Sequence, residues 1–369
     1  MSAERPLRVA VIGTGGIARL RHIPAFKRAA GLGLAELVAL CDAVGASAEA
    51  AARDFGVASW ATDYREVVAR PDVDVVSVAT PNVYHEEISI AALQAGKHVM
   101  CEKPLAMDYP GAVRMAEVAR RSGRRTAVNF RYRWVPAARF LFDLVRAGEI
   151  GAVYHVYMNY LNGGRANPET PIRWRLSRAQ AGSGVLGDLG SHMVDFAHVL
   201  AGPVRRVSAH LRTFTTERPV EGGGRAPVDV DDACTMVLEF ASGAQGVINS
   251  SGCALGRGNH QRVELYGTGG AAIYEIERWD RGGDRLRVCL GPGQARLGAF
   301  AEVPVPPEHA DSNPLDPFVD FVRAIREGRD GWVTFEDAVR VQEVLEAAER
   351  SAREGRWVDL PLEPAAAPG

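Results

Sequence analysis

The amino-acid sequence predicts an α/β domain with a doubly wound parallel sheet, followed by an α+β domain that contains a large, mainly antiparallel open sheet. Apolar strand-like runs alternate with helical patterns up to about residue 131, and beyond it strand patterns follow one another directly. A chain of 369 residues also exceeds the size at which one hydrophobic core usually keeps growing. We therefore predict a first domain at residues 1–128, a second at 129–362 and a disordered tail at 363–369.

In the first domain, short apolar runs are typical of strands that are buried on both faces. These runs are "LRVAVIG", "LAELVALCD", "VDVVSVAT", "KHVMCEKP" and "RRTAVNF". The helical patterns between them include "ARLRHIPAFKRAA", "HEEISIAALQAG" and "GAVRMAEVARRSG". Since parallel strands need crossover connections, this alternation predicts right-handed βαβ units.

In the second domain, the helix "AARFLFDLVRAGEIG" leads into a series of alternating strands. The predicted strands are "AVYHVYMNYL", "RRVSAHLRTF", "ACTMVLEFA", "AQGVINSSG", "QRVELYGTGG", "AAIYEIE" and "RLRVCLG". The stretch "ASGAQ" indicates a hairpin turn, and "EGGGRAPVDVDD" indicates a flexible loop. The helices "LDPFVDFVRAIREG" and "FEDAVRVQEVLEAAERSAREG" close this domain.

Composition argues against several classes of protein. The net charge of -2 gives no long-range field to attract nucleic acid or a membrane surface, so we expect neither as a partner. There is no membrane-spanning run or signal peptide, which predicts a cytoplasmic protein. The five cysteines form no CxxC pair, so we expect reduced core thiols and no metal site.

The stretch "VAVIGTGGIARL" places a glycine-rich turn between the first strand and the first helix. Gly13 permits the tight turn, Gly15 allows close approach of a pyrophosphate, and Ala18 takes the third-glycine position. The predicted contacts in this turn are Gly13, Thr14, Gly15, Gly16 and Ile17. Alone this pattern is weak, but the second strand ends at Asp42, close to the ~20-residue spacing of the acid that binds the adenosine ribose. A Rossmann dinucleotide site is favoured over a simple cap or turn aspartate.

Asp42 also bears on which dinucleotide binds. A carboxylate there repels a 2'-phosphate, and the next residues, Ala43, Val44 and Gly45, include no arginine to bind one. We therefore predict NAD, with NADP less favoured. Arg53, on the following helix, is the residue that keeps NADP open.

Lys103 is one of only three lysines in a chain rich in arginine, and it follows the strand "KHVMC" at the carboxyl edge of the sheet. A compact, titratable ammonium cannot be replaced by a planar guanidinium, which makes Lys103 a candidate for chemistry. We expect the bond to Pro104 to be cis. The alternative is a surface lysine that pairs with Glu102.

A second candidate segment is "GSGVLGDLGSHMVDFAHVLAGP". Asp188, His192 and Asp195 have the spacing i, i+4, i+7, which places them on one face of a helix. A neutral His192 would be suited to act as a general base. The alternative is a capping aspartate followed by a core histidine. For Asp195 we predict a structural role.

Taken together, these motifs resemble the glucose-fructose oxidoreductase, inositol dehydrogenase and rhizopine-catabolism family, Gfo/Idh/MocA. The stretches "GTGGIA", "ATPNVYH", "CEKPLA", "NFRYRWVP", "RWR" and "GVLGDLGSHMVD" occur in the family's order along nearly the whole chain. The resemblance implies a catalytic set of Lys103, Asp188 and His192. It also implies a homodimer or homotetramer formed through the open sheet, whose exposed face would otherwise favour aggregation.

The resemblance further implies residues that contact the ligands. Contacts near the nicotinamide are Thr80, Pro81, Asn82, His85, Glu102 and Lys103, although Asn82 and His85 could instead stabilise the following helix. Substrate contacts are Asn129, Arg131, Trp174 and Arg175 together with the catalytic set. Trp174 is as well suited to a buried core as to stacking on a sugar ring.

The implied activity is an NAD-dependent dehydrogenation of a secondary hydroxyl of a sugar, sugar derivative or cyclitol. His192 would take the hydroxyl proton, Lys103 would hydrogen bond to the same oxygen, and Asp188 would orient the substrate or tune both groups. Which of Lys103 and His192 takes the proton stays open. One alternative retains NAD for transient oxidation in epimerisation, elimination or glycoside cleavage. Another is a non-catalytic, nucleotide-responsive regulator.

Overall fold

The computed structural model describes residues 5–277, 283–291, 299–313 and 315–362, which form two compact units. Unit 1 comprises residues 5–130 and 315–340, and unit 2 comprises the described residues of 131–313 and 341–362. The tail predicted at 363–369 lies outside the described residues. No helix in the described ranges is both long enough and apolar enough to span a membrane.

Unit 1 is built on a six-stranded sheet with the order β3-β2-β1-β4-β5-β6, and every pair in it is parallel. The strands are β1 Leu7–Ile12, β2 Ala35–Cys41, β3 Trp60–Ala61, β4 Val75–Val78, β5 His98–Cys101 and β6 Thr126–Val128. The helices are α1 Ile23–Gly31, α2 Gly45–Phe55, α3 Tyr64–Ala69, α4 His85–Gln94 and α5 Tyr109–Ser122. This confirms the predicted doubly wound parallel sheet.

The order of the strands fixes where a ligand can bind. β1 lies between β2 and β4, so the connections turn to opposite sides of the sheet at the β1–β4 pair. In such sheets the ligand crevice lies outside the carboxyl ends of the strands at this switch point. The glycine turn follows β1, and Thr80 follows β4 by two residues, so both predicted cofactor segments begin there.

Unit 2 contains a nine-stranded sheet with the order β16-β15-β14-β13-β7-β12-β11-β8-β17. Its strands are β7 Val153–Leu161, β8 Val204–Arg212, β11 Ala233–Phe240, β12 Gln245–Ser251, β13 His260–Gly267, β14 Gly270–Ile276, β15 Arg285–Leu290, β16 Ala301–Val303 and β17 Val358–Asp359. β7 and β12 pair in parallel, and the other pairs are antiparallel. The predicted large, mainly antiparallel sheet is confirmed.

A small hairpin corrects the predicted loop "EGGGRAPVDVDD". β9 Glu217–Pro219 pairs with β10 Arg225–Pro227, and the following Asp231 and Asp232 are buried. Asp232 accepts hydrogen bonds from the backbone N–H groups of residues 214 and 215 at 2.9 and 3.0 Å. The second half of this segment is therefore ordered by buried hydrogen bonds, which a glycine-rich composition does not reveal.

The helices of unit 2 are α6 Pro136–Arg146, α7 Arg178–Ala181, α8 Ser191–Ala201 and α9 Pro307–Ala310. A π-helical turn, Leu186–Gly190, comes directly before α8. Asp231 supports this turn because its carboxylate accepts hydrogen bonds from the N–H groups of Gly184 and Leu186, both at 2.8 Å. The start of the segment that carries Asp188 and His192 is thus fixed by a buried acid.

The helix α10, Asp316–Glu327, corrects the predicted domain division. We assigned it to the second domain, but it packs in the core of unit 1 against α1. The Phe318 ring meets His22 edge-on with 4.6 Å between centroids and Phe26 with 5.6 Å. An amphipathic pattern shows that a helix has a buried face, but not which sheet or helix it covers. The last helix, α11, is Phe335–Glu354.

We expect Phe318→Ala to lower the free energy of unfolding by about 3–5 kcal/mol, because a fully buried aromatic ring is replaced by a cavity. Chemical denaturation followed by circular dichroism measures the change. Leu32→Ala is the control, since Leu32 is 51% exposed and should change stability by less than about 0.5 kcal/mol. Equal stability of both variants would show that α10 does not complete the core of unit 1.

Candidate active site

The glycine turn after β1 has the geometry that a dinucleotide needs. Gly13 has φ +94°, and a Cβ atom there would lie 2.5 Å from the carbonyl oxygen of Ala79. Only glycine fits this close approach of two backbones. Cβ atoms at Gly15 and Gly16 would meet no heavy atom of the described structure within 4 Å. The turn is therefore packed on the sheet side and open on the other side, where a pyrophosphate can approach the backbone.

Asp42 holds this turn in place. Its Oδ2 atom accepts hydrogen bonds from the N–H and the hydroxyl of Thr14 at 2.8 and 3.0 Å, and its Oδ1 atom accepts one from Val44 N–H at 3.0 Å. Because each carboxylate oxygen can accept two hydrogen bonds, Oδ1 keeps capacity for a ribose hydroxyl. The predicted ribose acid thus also links the end of β2 to the glycine turn.

Arg53, which kept NADP open, lies eight residues after the start of α2, about 12 Å along the helix axis. It forms an ion pair with Asp54 at 3.8 Å and is largely exposed. This position favours NAD, because the carboxylate of Asp42 then has no arginine of α2 beside it to attract a 2'-phosphate.

Lys103 follows β5, and its bond to Pro104 is cis, as expected. The other two lysines have structural partners. Lys97 is buried and donates to the carbonyl oxygens of Arg70 and Val73 at 2.7 and 2.9 Å, and Lys27 donates to the carbonyl of Phe55. The rarity of lysine therefore does not by itself identify the catalytic residue, since Lys97 serves as a buried cap on backbone carbonyls.

Glu102 is buried and Lys103 is half-buried, so a Glu102–Lys103 pair would not be an ordinary surface pair. The Oε1 atom of Glu102 accepts hydrogen bonds from His22 at 2.9 Å and from the side-chain amide of Asn129 at 2.5 Å. Burial raises the pKa of Glu102, but the His22 hydrogen bond and charge, Asn129 and Lys103 outweigh it and lower the pKa to about 2. Glu102 is an ionised, fully partnered carboxylate next to Lys103.

His85 is fully buried and connects two loops at this edge of the sheet. Its Nδ1 atom lies 2.9 Å from the carbonyl oxygen of Pro104, and its Nε2 atom lies 3.1 Å from that of Thr80. Burial lowers the pKa of His85, although both carbonyls oppose this. His85 thus joins the loop after β4 to the loop after β5. Near the predicted nicotinamide site it stabilises these loops.

Two other predicted contacts carry buried polar atoms that have no hydrogen-bond partner among the described residues. They are Thr80 Oγ1 and Asn129 Oδ1. Asn82 is buried in a short 3₁₀ turn that begins just after Pro81. Buried polar atoms without partners are costly, so both atoms are suited to hydrogen bond with a bound ligand.

In unit 2, His192 lies in the first turn of α8 and is only 3% exposed. Its ring meets Tyr132 edge-on with 4.7 Å between centroids, and Tyr160 lies 6.0 Å away. The hydroxyls of the two tyrosines are 2.8 Å apart, and Asn259 bonds to both. Burial raises the pKa of Tyr160, and Tyr132 and Asp188 raise it further. His192 therefore lies beside a hydrogen-bonded tyrosine pair.

The structure modifies the predicted helix face. Asp188 belongs to the π-helical turn, so its spacing to His192 is not that of a regular α-helix. Asp195 is almost fully buried and forms a two-point ion pair with Arg133 at 2.8 and 2.5 Å. The structural role predicted for Asp195 is confirmed.

The arginines of unit 2 that could bind a charged substrate mostly have partners. Arg131 donates to the Tyr132 hydroxyl at 2.8 Å, and Arg165 donates to the carbonyl of Asp231 at 2.9 Å. Arg175 lies over the ring of Trp174, 4.2 Å from its centroid. Trp174 is half-buried, so the core-tryptophan alternative does not hold.

Sequence reasoning did not identify His22, Tyr132, Tyr160 or Asn259. His22 falls within a helical pattern, and the tyrosines fall within strand and loop patterns, where buried polar side chains leave no periodic signal. Among the described residues, no group of three or more His, Cys, Asp or Glu side chains could hold a metal ion.

Comparison with known proteins gives matches over both units. The profile of the Gfo/Idh/MocA oxidoreductases with an NAD-binding Rossmann fold matches residues 7–130, and the profile of the family's C-terminal domain matches residues 138–273. Levoglucosan dehydrogenase of Pseudarthrobacter phenanthrenivorans is 34% identical over 84% of this chain and 86% of its own length.

Two further relatives agree with this result. The NAD(+)-dependent scyllo-inositol 2-dehydrogenase of Bacillus subtilis is 28% identical over 97% of both chains. A solved structure of levoglucosan dehydrogenase in complex with NADH and L-sorbose has a TM-score of 0.90, 32% identity and coverage of 96% of this chain and 99% of its own. The motifs, the sheet order and these matches show that the chain belongs to the Gfo/Idh/MocA family of NAD-binding oxidoreductases.

Proposed function

We propose that this oxidoreductase uses NAD to oxidise a secondary hydroxyl of a neutral sugar or cyclitol, with the reverse reduction by the same groups. The observation that carries the proposal is the carboxyl edge of the unit 1 sheet. There the open glycine turn with Asp42 and the turn with Lys103 follow strands of one parallel sheet. The relatives named above act on sugars and cyclitols, which supports the substrate class.

The residues of unit 1 fit NAD. Gly15 and Gly16 leave the backbone of the turn open for the pyrophosphate, Asp42 keeps an acceptor for the adenosine ribose, and Thr80 offers a buried hydroxyl without a protein partner in the described structure. Bound NAD would supply the acceptor for the hydrogen that leaves carbon with its electron pair. The chain's own groups then need to manage only the hydroxyl proton.

We assign the proton to His192, with Lys103 as donor to the same hydroxyl oxygen. In the forward direction, the O–H bond breaks, its proton passes to the His192 imidazole, and the Lys103 ammonium stabilises the developing negative oxygen. Packing of the His192 ring against Tyr132 holds its orientation, and Asp188 orients the substrate. In the reverse direction, His192 returns the proton to the carbonyl oxygen.

A neutral substrate is supported by the arginines. Arg131, Arg165 and Arg175 each have a partner within unit 2, so a phosphate or carboxylate would have to compete with the contacts that these guanidinium groups make. Arg173 is exposed and is the arginine of this segment for which the argument does not hold. A substrate that carries only hydroxyl groups does not require an arginine to leave its present contacts. We also propose a cytoplasmic location, supported by five cysteines that are all free thiols.

We expect the wild-type protein to reduce NAD with at least one substrate from a panel of inositols, hexoses, pentoses, anhydrosugars and glycosides, followed at 340 nm. Lys103→Arg should lower kcat about 100-fold or more, because a guanidinium keeps the charge but not the compact donor geometry. Lys27→Arg is the matched control and should retain activity. A single turnover with no release of NADH would instead favour the retained-NAD reaction, and full activity of Lys103→Arg would refute the role of Lys103.

We expect the wild type to prefer NAD over NADP, and Asp42→Ser to shift the ratio of the two kcat/KM values towards NADP by about tenfold or more, since charge repulsion is removed. The NAD value should also fall, because Asp42 holds Thr14 in the glycine turn. Glu49→Ser, which removes an exposed carboxylate from α2, is the control. An unchanged ratio in Asp42→Ser would show that this carboxylate does not set the preference.

We propose that the outer face of the unit 2 sheet associates with a second copy, giving the dimer or tetramer that the family resemblance implies. Tyr157 and Val237 on this face are 42% and 39% exposed, and Tyr157 stacks on His155 with 5.9 Å between centroids. Light scattering of the wild type should give two or four times the chain mass. Tyr157→Asp should lower that mass, whereas Tyr154→Asp, on the same strand with opposite side-chain direction, should not. A monomeric wild type would refute association.

A further inference from the structure

Two buried histidines approach the Lys103–Pro104 turn from different segments of unit 1. His85, at the start of α4, contacts the carbonyl of Pro104 directly. His22 comes from the segment before α1 and contacts Glu102, the residue before Lys103. Both histidines are 0% exposed, so neither can touch a ligand with more than a trace of its surface. His22 can therefore act on the reaction only through its protein neighbours, and Glu102 is the neighbour next to Lys103.

His22 has a fixed ring. It is the last residue of a π-helical turn, Ala18–His22, whose wider winding changes the direction of its side chain relative to a regular helix. The Nδ1 atom lies 2.8 Å from the hydroxyl oxygen of Ser77, and the Nε2 atom lies 2.9 Å from Glu102 Oε1. Phe318 packs edge-on against the ring. Nε2–H donates to Glu102 Oε1, and Nδ1 and the Ser77 hydroxyl share the second hydrogen bond.

Glu102 in turn reaches the backbone of the candidate lysine. Its Oε2 atom lies 3.3 Å from Lys103 N, while Oε1 holds His22 and Asn129. The titratable groups near this carboxylate are His22, Lys103 and His85. Of these three groups, Lys103 has a proposed role in the reaction, and the other two are buried imidazoles.

We propose that His22 is a positioning residue for the reaction: it fixes the Glu102 carboxylate beneath the Lys103–Pro104 turn and so sets the position and the charge surroundings of the Lys103 ammonium. The inference rests on the proposed catalytic role of Lys103. His22 itself neither contacts substrate nor transfers a proton.

The physical argument concerns the charge of Glu102. Burial opposes ionisation of this carboxyl group, and the hydrogen bond from His22 is the first of the interactions that overcome it. Without that donor, Glu102 should bind a proton at a higher pH than in the wild type. A protonated Glu102 no longer attracts the ammonium of Lys103, and its hydrogen bond to Lys103 N weakens. Loss of His22 should therefore make kcat depend on the protonation of Glu102, which is ionised in the wild type at the pH values of the assay.

The test measures kcat and KM against pH, from about pH 5.5 to 9, for the wild type, His22→Leu and His22→Gln. We expect His22→Leu to lose about 100-fold in kcat near pH 6 and to recover as the pH rises, because a displaced catalytic group costs about that factor. KM for NAD should change little. His22→Gln can still donate from its side-chain amide to Glu102, so it should restore most of kcat. It should also lack the acidic limb, which is the fall of kcat at low pH that we expect for His22→Leu.

His98→Leu is the matched control. His98 is an imidazole at the other end of β5, where its Nδ1 atom accepts a hydrogen bond from Arg125 N–H at 2.9 Å. We expect His98→Leu to lower the stability of the fold without adding an acidic limb to the pH profile of kcat. An acidic limb of equal size in His98→Leu, or a pH-independent loss in His22→Leu that follows its loss of thermal stability, would overturn the proposal.

Glu102→Gln decides the question if His22→Leu does not fold. Glutamine keeps the size and can still accept from His22 and Asn129 through its amide oxygen, but it loses the charge and the acceptor for Lys103 N–H. We therefore expect kcat to fall as in His22→Leu at low pH, and to stay low at every pH because residue 102 no longer titrates. Wild-type kcat in Glu102→Gln would overturn the proposal, since it would show that Lys103 does not need the charged neighbour.

A second readout does not depend on turnover. Because the chain has only three lysines, mass spectrometry after acylation resolves the modification rate of Lys103 from those of Lys27 and Lys97. We expect the acylation rate of Lys103 to differ from the wild-type rate in both His22→Leu and Glu102→Gln, since in each the acceptor that holds the backbone N–H of Lys103 is displaced or replaced. Lys97 should be unchanged. If no sugar is oxidised but the labelling of Lys103 changes, the proposed function fails, while the inference that His22 and Glu102 position Lys103 stands. If the enzyme is active and the labelling of Lys103 is unchanged, the inference alone is refuted.

Discussion

Unit 1 depends on how it accommodates a buried negative charge at the carboxyl edge of its sheet. Glu102 ends the β5 segment inside the protein, and such a carboxylate is tolerated only if donors surround it. Those donors come from three parts of the chain: His22 before α1, Asn129 after β6 and the backbone of Lys103. The need to surround Glu102 with donors therefore fixes three segments relative to one another: the start of the first helix, the end of the sheet and the turn that carries Lys103.

The same arrangement recurs at the other two candidate segments. Asp42 accepts hydrogen bonds from Thr14 and Val44, which fixes the glycine turn, and Asp231 accepts two backbone N–H groups at the start of the turn that carries Asp188. Burial raises the pKa of Asp231, so its two backbone donors are needed to offset the burial. In each case a carboxylate orders a loop by holding main-chain N–H groups. Loops held in this way can present functional side chains in one geometry.

The sequence predicted what periodic patterns encode. The doubly wound parallel sheet of unit 1 and the large sheet of unit 2 follow from such patterns and are confirmed. The role of the glycine turn and Asp42 in binding the cofactor stays a prediction. Strands of two or three residues, such as β3 and β17, are too short to show a period. The π-helical turns before α1 and α8 have a different winding from the α-helix, so the 3.6-residue pattern does not report them.

The candidate site shows the limit of reasoning from residue frequency. Lysine is rare in this chain, and rarity singles out Lys97 as well as Lys103. At Lys97 the reason is packing, because a small ammonium fits between the carbonyls of Arg70 and Val73 where a planar guanidinium would not. At Lys103 the neighbouring carboxylate also binds His22 and Asn129, so Lys103 belongs to a buried hydrogen-bond network. What distinguishes the two lysines is the partners around them, and those partners come from distant parts of the chain that only the folded structure brings together.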